Sequence, residues 1–226
     1  MKYYKLTHSI DRKIIGVFPQ SEECFVGDIQ KDFIPWEGPI DFDFKLPEPI
    51  LEKKSKQTSY VRVVAISVRF LVVDNEFLNF LKNYNIGNYQ KWKIKTWQNE
   101  ELIKKYNLFI LNDTKQSEYI DFEKSDFLIG KLGDWKDRST RRPISIKNYD
   151  EYIYKKEKLG KESLMLLHDK VTLDLKGVNV DMFRIVNAPL GGYYVSERLK
   201  NAIEENGFTG MEFKEVGELD KVEVIY

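Results

Sequence analysis

The stretch Tyr193–Val216, Y-Y-V-S-E-R-L-K-N-A-I-E-E-N-G-F-T-G-M-E-F-K-E-V, leaves the chain fewer options than any other. Tyr193-Tyr194-Val195 is an extended lead-in. Ser196 is placed to cap a helix, its hydroxyl accepting from a free N–H of the first turn. Leu199, Ala202 and Ile203 form one apolar stripe at helical spacing. Gly207 supplies a left-handed residue that ends the helix, and Phe208 folds back on the last turn. After Thr209-Gly210, Met211, Phe213 and Val216 carry the chain into a strand. The expected unit is strand, short helix, tight turn, strand.

A fainter copy runs over Leu71–Ile94. Asp74 takes the cap position of Ser196. Phe77, Phe80 and Leu81 match Leu199, Ala202 and Ile203, and Asn85 stands where Gly207 stands, as the expected left-handed end. The two stretches read either as an internal repeat or as two short capped helices that look alike. Neither holds a catalytic constellation, so both read as scaffold.

Elsewhere strands outnumber helices and do not alternate regularly with them. That pattern predicts an α+β fold with a mixed or mainly antiparallel sheet and a few short capped helices. Lys2–Leu6 and Ile14–Phe18 read as short strands. Pro19 to Lys56 carries five of the seven prolines, which forbid a continuous helix and disfavour central strands. Its Phe25, Ile29, Phe33, Ile34, Trp36, Ile40, Phe42 and Phe44 are too apolar for disorder, so it reads as an ordered wrap over the core. Tyr60–Val73 alternates with a period of two and reads as the best strand region. Glu100–Lys105 reads as a helical turn, and Leu164–Leu167 and Val171–Leu175 as two strands about a turn near Asp169. Asp150–Leu159 reads as a helix ending at Gly160, or as a strand because of its tyrosines. The division is 1–59, N-terminal strands and wrap, and 60–226, an α+β domain, joined as one globular unit.

Lys+Arg and Asp+Glu number 36 each, unlike a strongly basic nucleic-acid binder or a strongly acidic nucleic-acid mimic. The one cysteine, Cys24, allows no internal disulfide and fits a reducing compartment. No secretory signal or membrane-length apolar run is visible, and the expected location is the bacterial cytoplasm. His8 and His168 are far apart, and neither H-E-x-x-H nor C-x-x-C occurs, so no metal site is expected. No nucleophile motif and no phosphate or dinucleotide loop occurs, so no cofactor is expected. Glu22-Glu23 beside Cys24 would raise its thiol pKa. Asp41/Asp43 and Asp121/Glu123 would share a strand face, and paired acids of that kind can serve hydrolysis. Trp135 with Arg138, Arg141 and Arg142 forms a polar loop suited to phosphate or an acidic protein.

Val178–Asn187 followed by Gly192–Val216 resembles the C-terminal signature of an immunity-protein family of bacterial polymorphic toxin systems, immunity family eleven. The carrying residues are Phe183-Arg184, Val195-Ser196-Glu197-Arg198 and Gly207, Thr209, Gly210 and Phe213. Phe70–Leu78 is similar to the family's first helix entry, and Tyr106-Asn107 and Ile120–Ser125 to its central region. The resemblance implies an antitoxin: a non-enzymatic cytosolic protein that blocks a cognate toxin domain by direct contact, with neither membrane nor nucleic acid as partner. Trp135, Arg138, Arg141 and Arg142 are the first candidates for the toxin-binding surface, and Trp36 on the wrap is the second. Asp74, Asn85, Phe183, Arg184, Ser196, Gly207 and Gly210 are expected to serve structure. The competing readings are an enzyme using Asp121 and Glu123, and a nucleic-acid-associated protein using the Arg138–Arg142 loop.

Overall fold

The computed structural model describes residues 1–113, 116–131, 133 and 140–226, with 116 and 117 as backbone alone. The chain runs β1 (Tyr3–His8), α1 (Arg12–Ile15), β2 (Glu23–Phe25), β3 (Glu48–Leu51), β4 (Tyr60–Val61), β5 (Leu71–Asp74), α2 (Asn75–Leu81), β6 (Tyr89–Lys93), β7 (Thr96–Gln98), β8 (Glu101–Ile103) and β9 (Tyr106–Leu111). It continues with α3 (Gln116–Tyr119), β10 (Ile120–Lys131), β11 (Arg142–Ile144), α4 (Tyr149–Lys161), β12 (Leu164–Asp174), β13 (Met182–Ile185), β14 (Gly192–Ser196), α5 (Glu197–Glu205), β15 (Met211–Glu215) and β16 (Val222–Ile225). Four mostly antiparallel sheets result, ordered β13-β14-β1-β15, β4-β5-β9-β6, β2-β3-β7-β8 and β11-β10-β12-β16. The fold is α+β. No helix among the described residues is long and apolar enough to cross a membrane.

The first two sheets are built alike. In each, a strand ends in a cap residue, a helix follows, and the exit strand returns on the far side of a central strand. The central strand is β9 in one case and β1 in the other, antiparallel to both neighbours. Asp74 Oδ1 accepts from Phe77 N at 2.9 Å and Ser196 Oγ from Leu199 N at 3.1 Å, as the cap spacing predicts. The same bonds recur around each corner. Asp74 N donates to Ser59 O (2.9 Å) and Ser196 N to Asp181 O (2.8 Å). Asn75 N donates to Lys105 O (2.9 Å) and Glu197 N to Lys2 O (3.0 Å). Tyr106 Oη donates to Thr58 O (2.9 Å) and Tyr3 Oη to Val180 O (2.8 Å). The two stretches singled out in the sequence therefore build one architecture twice.

The units close on one core. Leu71, Val73, Phe109 and Leu111 of one sheet and Leu6, Tyr193 and Val195 of the other meet Phe77, Leu81, Leu199 and Ile203 of the two helices. Side chains alternate across a strand, so Val72, Leu108 and Ile110 face outward onto a second core beneath the wrap, with Ile29, Ile34 and Ile40. Tyr3, Phe183, Ile185 and Tyr194 face a third core with β10, β12 and α4. Burial on both faces explains why β5, β9, β13 and β14 read as near-continuous apolar runs.

The units are also bonded crosswise. Tyr60 N donates to Thr209 O at 3.1 Å and Asp181 N to Asn85 O at 2.6 Å. Asp181, 2 % exposed, accepts from Asn85 N (2.9 Å), Ser196 Oγ (2.8 Å) and the Arg198 guanidinium. Burial works to raise its pKa, but the bonds from Arg198, Asn85 and Ser196 outweigh it and hold the carboxyl below its ordinary value.

Several expectations are corrected. Asn85 does not end α2: the helix stops at Leu81, Lys82 remains right-handed, and Tyr84 N bonds Leu81 O at 3.1 Å in a tighter turn. Gly87 carries the positive φ (71°) there. Gly207 (φ 71°) does end α5, with Gly207 N donating to Glu204 O at 3.0 Å and Phe208 N to Ile203 O at 3.2 Å, the paired bonds of a Schellman ending. Tyr60–Val73 is not one strand. Turns at Ile66 N to Val63 O (3.2 Å) and Phe70 N to Ser67 O (3.0 Å) break it, burying Ile66 and Phe70 and exposing Val64 and Val68.

Ile14–Phe18 is not a strand either. Asp11 caps the single turn α1, accepting from Lys13 N at 2.8 Å. Glu100–Lys105 holds strand β8, entered through Asn99 (φ 51°) and Glu100 (φ 67°), a two-residue hairpin turn. β12 is one strand from Leu164 to Asp174 with no turn at Asp169, though its register with β10 shifts there, Asp126 facing Lys170 and Phe127 facing His168. Between the strand and helix readings of Asp150–Leu159, the structure has helix α4, which continues one residue past Gly160 and is capped by Asn148.

Three variants test this construction. A Cβ on Gly210 (φ 90°) would lie 2.0 Å from Tyr60 O, whereas one on Gly207 (φ 71°) meets open space. Gly207→Ala therefore costs about 1–2 kcal/mol from the left-handed backbone alone, and Gly210→Ala costs more, measured by urea denaturation; equal losses would contradict the crosswise contact. Asp181 has a lowered folded pKa, so its stabilisation is full above the ordinary Asp value and is lost as pH falls through the folded value. Asp181→Asn should destabilise by about 1.5–3 kcal/mol at neutral pH and flatten the fall in stability below about pH 4. An unchanged acid limb would contradict the assigned bonds.

Candidate functional site

Prolines and turns leave the wrap's carbonyls without sheet partners, and such groups need donors when buried. Arg69 supplies them. The turns of the β4–β5 connection direct its side chain inward, where it is only 4 % exposed. Its Nη1 donates to Ile34 O (3.2 Å) and Pro35 O (3.3 Å), and its Nη2 to Ile29 O. The Trp36 ring lies over this guanidinium, 4.5 Å from Cζ. Arg184 of β13, fully buried, donates from Nη2 to Trp36 O (3.2 Å) and from Nη1 to Arg69 O (3.5 Å). Tyr193 Oη donates to Arg69 O at 2.6 Å. Burial lowers the pKa of both arginines, and for Arg69 the charge of Arg184 lowers it further.

The wrap is tied down elsewhere as well. Gln90 of β6 makes a two-way bond with Ile40, Nε2 to O and Oε1 from N, each 2.7 Å. Among exposed charges such as Lys31, Asp32, Glu37, Asp41 and Asp43 it presents large apolar side chains outward: Phe33 is 57 % and Trp36 50 % exposed, with Phe25, Phe42 and Ile50 also exposed, as are Val64 and Val68 of the β4–β5 connection. Phe33 and Phe42 meet with ring centroids 5.8 Å apart. These side chains stand in water on a backbone fixed from beneath, the arrangement of a contact surface.

A separate groove of about 700 Å³ lies beside β10 and β11, with Glu123, Asp126, Asp169 and Lys147 among its lining. It takes only one of the two acids weighed for catalysis. Asp121 turns to Lys124, accepting from its N (3.1 Å) and Nζ (2.7 Å), and the Nζ bond first of all lowers its pKa. Among the described residues no three His, Cys, Asp or Glu side chains stand together as metal ligands.

Of the remaining candidates, Trp135 and Arg138 lie outside the described residues. Arg142 is exposed in β11 opposite Ile129, and Arg141 precedes it, half-buried. Trp36 instead meets Arg69 and Arg184. Sequence reasoning singled out neither Arg69 nor Asp181 as a site. Their signal was a charged residue inside an apolar run, V-R-F-L-V-V and V-N-V-D-M-F. His8 stacks on Phe18 at 5.4 Å, and His168 sits opposite Phe127 in β12. Searches of protein-family models and of curated proteins gave no match.

Cys24 tests the chemistry of this region. Burial pushes its thiol up from 9.0 to about 11. At pH 8 a disulfide reagent should react with it about 100-fold more slowly than with an unshifted thiol, following the thiolate fraction. Reaction at the free-thiol rate would show an exposed, ionisable sulfur.

Proposed function

We propose that this chain is an immunity protein of the bacterial cytoplasm that binds a toxin domain and blocks it by direct contact. The carrying observation is the exposed apolar surface of the wrap, Phe33, Trp36 and Phe42 above all, on a backbone held by Arg69 and Gln90. Tight inhibitory interfaces bury about 1,600 Å² around a few aromatic and arginine anchors. The resemblance of Phe183–Arg184 and Val195–Gly210 to immunity family eleven supports the same reading. The titratable groups support it too: the Cys24 thiol is pushed away from ionisation and Asp121 is bound to Lys124.

The partner surface is therefore assigned first to the wrap, with Arg141 and Arg142 as a second contact. The enzyme alternative rests on the groove at Glu123, Asp126 and Asp169. In that reading the acids act on a bound substrate, and Glu123→Gln abolishes an activity that the wrap variants retain.

In this reading the toxin domain is encoded beside this protein, and the test is co-expression with the product of that neighbouring gene. Cells should survive only when this chain is present. Phe33→Asp/Phe42→Asp, both at exposed positions, should leave the fold intact and weaken the complex at least about 30-fold, the loss of one strong anchor. Full protection by the folded double variant would move the interface elsewhere. Death of cells holding abundant wild-type protein, with no complex at micromolar concentration, would remove the immunity reading.

A further inference from the structure

The formal charge of the chain is zero, but the two signs are not spread evenly. From Gln20 to Glu52 nine carboxylates stand against two lysines, Lys31 and Lys45. The wrap is therefore an acidic segment, and the rest of the chain carries the compensating positive charge. A surface that serves solubility alone intersperses both signs.

The fold gathers part of this charge around the exposed rings. Asp32 precedes Phe33, and Asp41 and Asp43 flank Phe42, all of them exposed. The Phe33 and Phe42 ring centroids lie 5.8 Å apart, which brings the two acidic stretches to one patch. Asp32 and Trp36 wall one cleft of about 350 Å³, with Lys31 also on its lining, so the patch continues to a third aromatic. Other acids of the wrap are engaged. Glu37 accepts from Tyr149 Oη at 2.7 Å, Asp28 from Lys45 N at 2.9 Å, and Glu48 pairs with Lys95. Asp32, Asp41 and Asp43 make no hydrogen bond or ion pair among the described residues.

Those carboxylates decide what can cover the rings. An apolar or acidic face would strip their water and return nothing, which is costly. Nucleic acid and anionic lipid are repelled by the same charge. A guanidinium suits both halves of the patch, since it forks onto a carboxylate and lies flat on an aromatic ring.

We propose that the wrap receives a cationic protein face, whose Arg and Lys side chains pair with Asp32, Asp41 and Asp43 and pack on Phe33 and Phe42. This rests on the assignment of the wrap as the partner surface and adds the partner's chemistry: the toxin domain is blocked through a face rich in Arg and Lys. The carboxylates speed the encounter, and the rings slow dissociation.

The test has two arms. An oligoarginine peptide titrated into the protein should shift the backbone amides of 31–43 in NMR spectra. Asp32→Asn/Asp41→Asn/Asp43→Asn, at exposed positions, should weaken that binding about tenfold, the loss of three surface charge contacts. Shifts centred instead on the groove of Glu123, Asp126 and Asp169, or equal affinity of the triple variant, would overturn the proposal. The second arm uses the product of the neighbouring gene. Raising NaCl from about 0.1 M to about 1 M shortens the screening length from about 10 Å to about 3 Å. Association should then slow at least about tenfold, and the triple variant should lose most of that dependence. A tight complex indifferent to salt would overturn the proposal and spare the immunity reading. Absence of any complex would remove the immunity reading, and the peptide arm would then decide the surface. A salt-sensitive dimer of this chain that covers 31–43 would make a second copy the occupant and overturn the proposal as well.

Discussion

At each strand-to-helix corner the cap residue answers to three parts of the chain at once. Its side chain closes the helix, its N–H bonds the residue before the outer strand β4 or β13, and the next N–H bonds the residue before the central strand. A helix of seven or nine residues is too short to be stable alone. Here the corner fixes its direction, and the stripe Phe77–Leu81 or Leu199–Ile203 then packs inward. Because β1 is the central strand of a sheet otherwise made from 182–215, the N-terminus completes a unit begun near the C-terminus. The two units cannot bury their apolar faces separately, since each is the other's cover.

The rest of the molecule follows from what those two sheets leave uncovered. Each has an outer apolar face. One takes β10, β12 and α4, elements with enough strand and helix sequence to build a layer of their own. The other takes the proline-rich wrap, which cannot. Arg69 makes that layer possible by giving its carbonyls a donor set, and Arg184 and Tyr193 hold Arg69 in turn. Phe33, Trp36 and Phe42 of the wrap face water, and the proposed partner surface is made of them.

The capped stretches were legible because their signals are local. Ser196, Asp74 and Gly207 act within a few residues of themselves. The likeness of the two stretches was visible for the same reason, and the burial of Ile29, Ile34 and Ile40 follows from apolar content alone. What failed depends on distant parts of the chain. The alternation of Val64, Ile66, Val68 and Phe70 satisfies a strand pattern, but the wrap needed Arg69 turned inward, and tertiary demand won over period. Asn85 has the right residue type for a left-handed end, yet Asp181, nearly a hundred positions away, holds its N–H and carbonyl in a different turn. The arginine clamp left only a faint trace, since a guanidinium that serves carbonyls has no sequence partner to announce it.

Amide hydrogen exchange measures the shared core most directly. If each unit is the other's cover, Asn75 and Glu197 N–H, and the paired amides of β9 and β1, exchange only through global unfolding. Their opening free energies should agree with each other and with the denaturant value. Exchange of the Glu197 corner and β1 through a cheaper opening, while Asn75 and β9 stay protected, would show two separately stable halves and contradict this account.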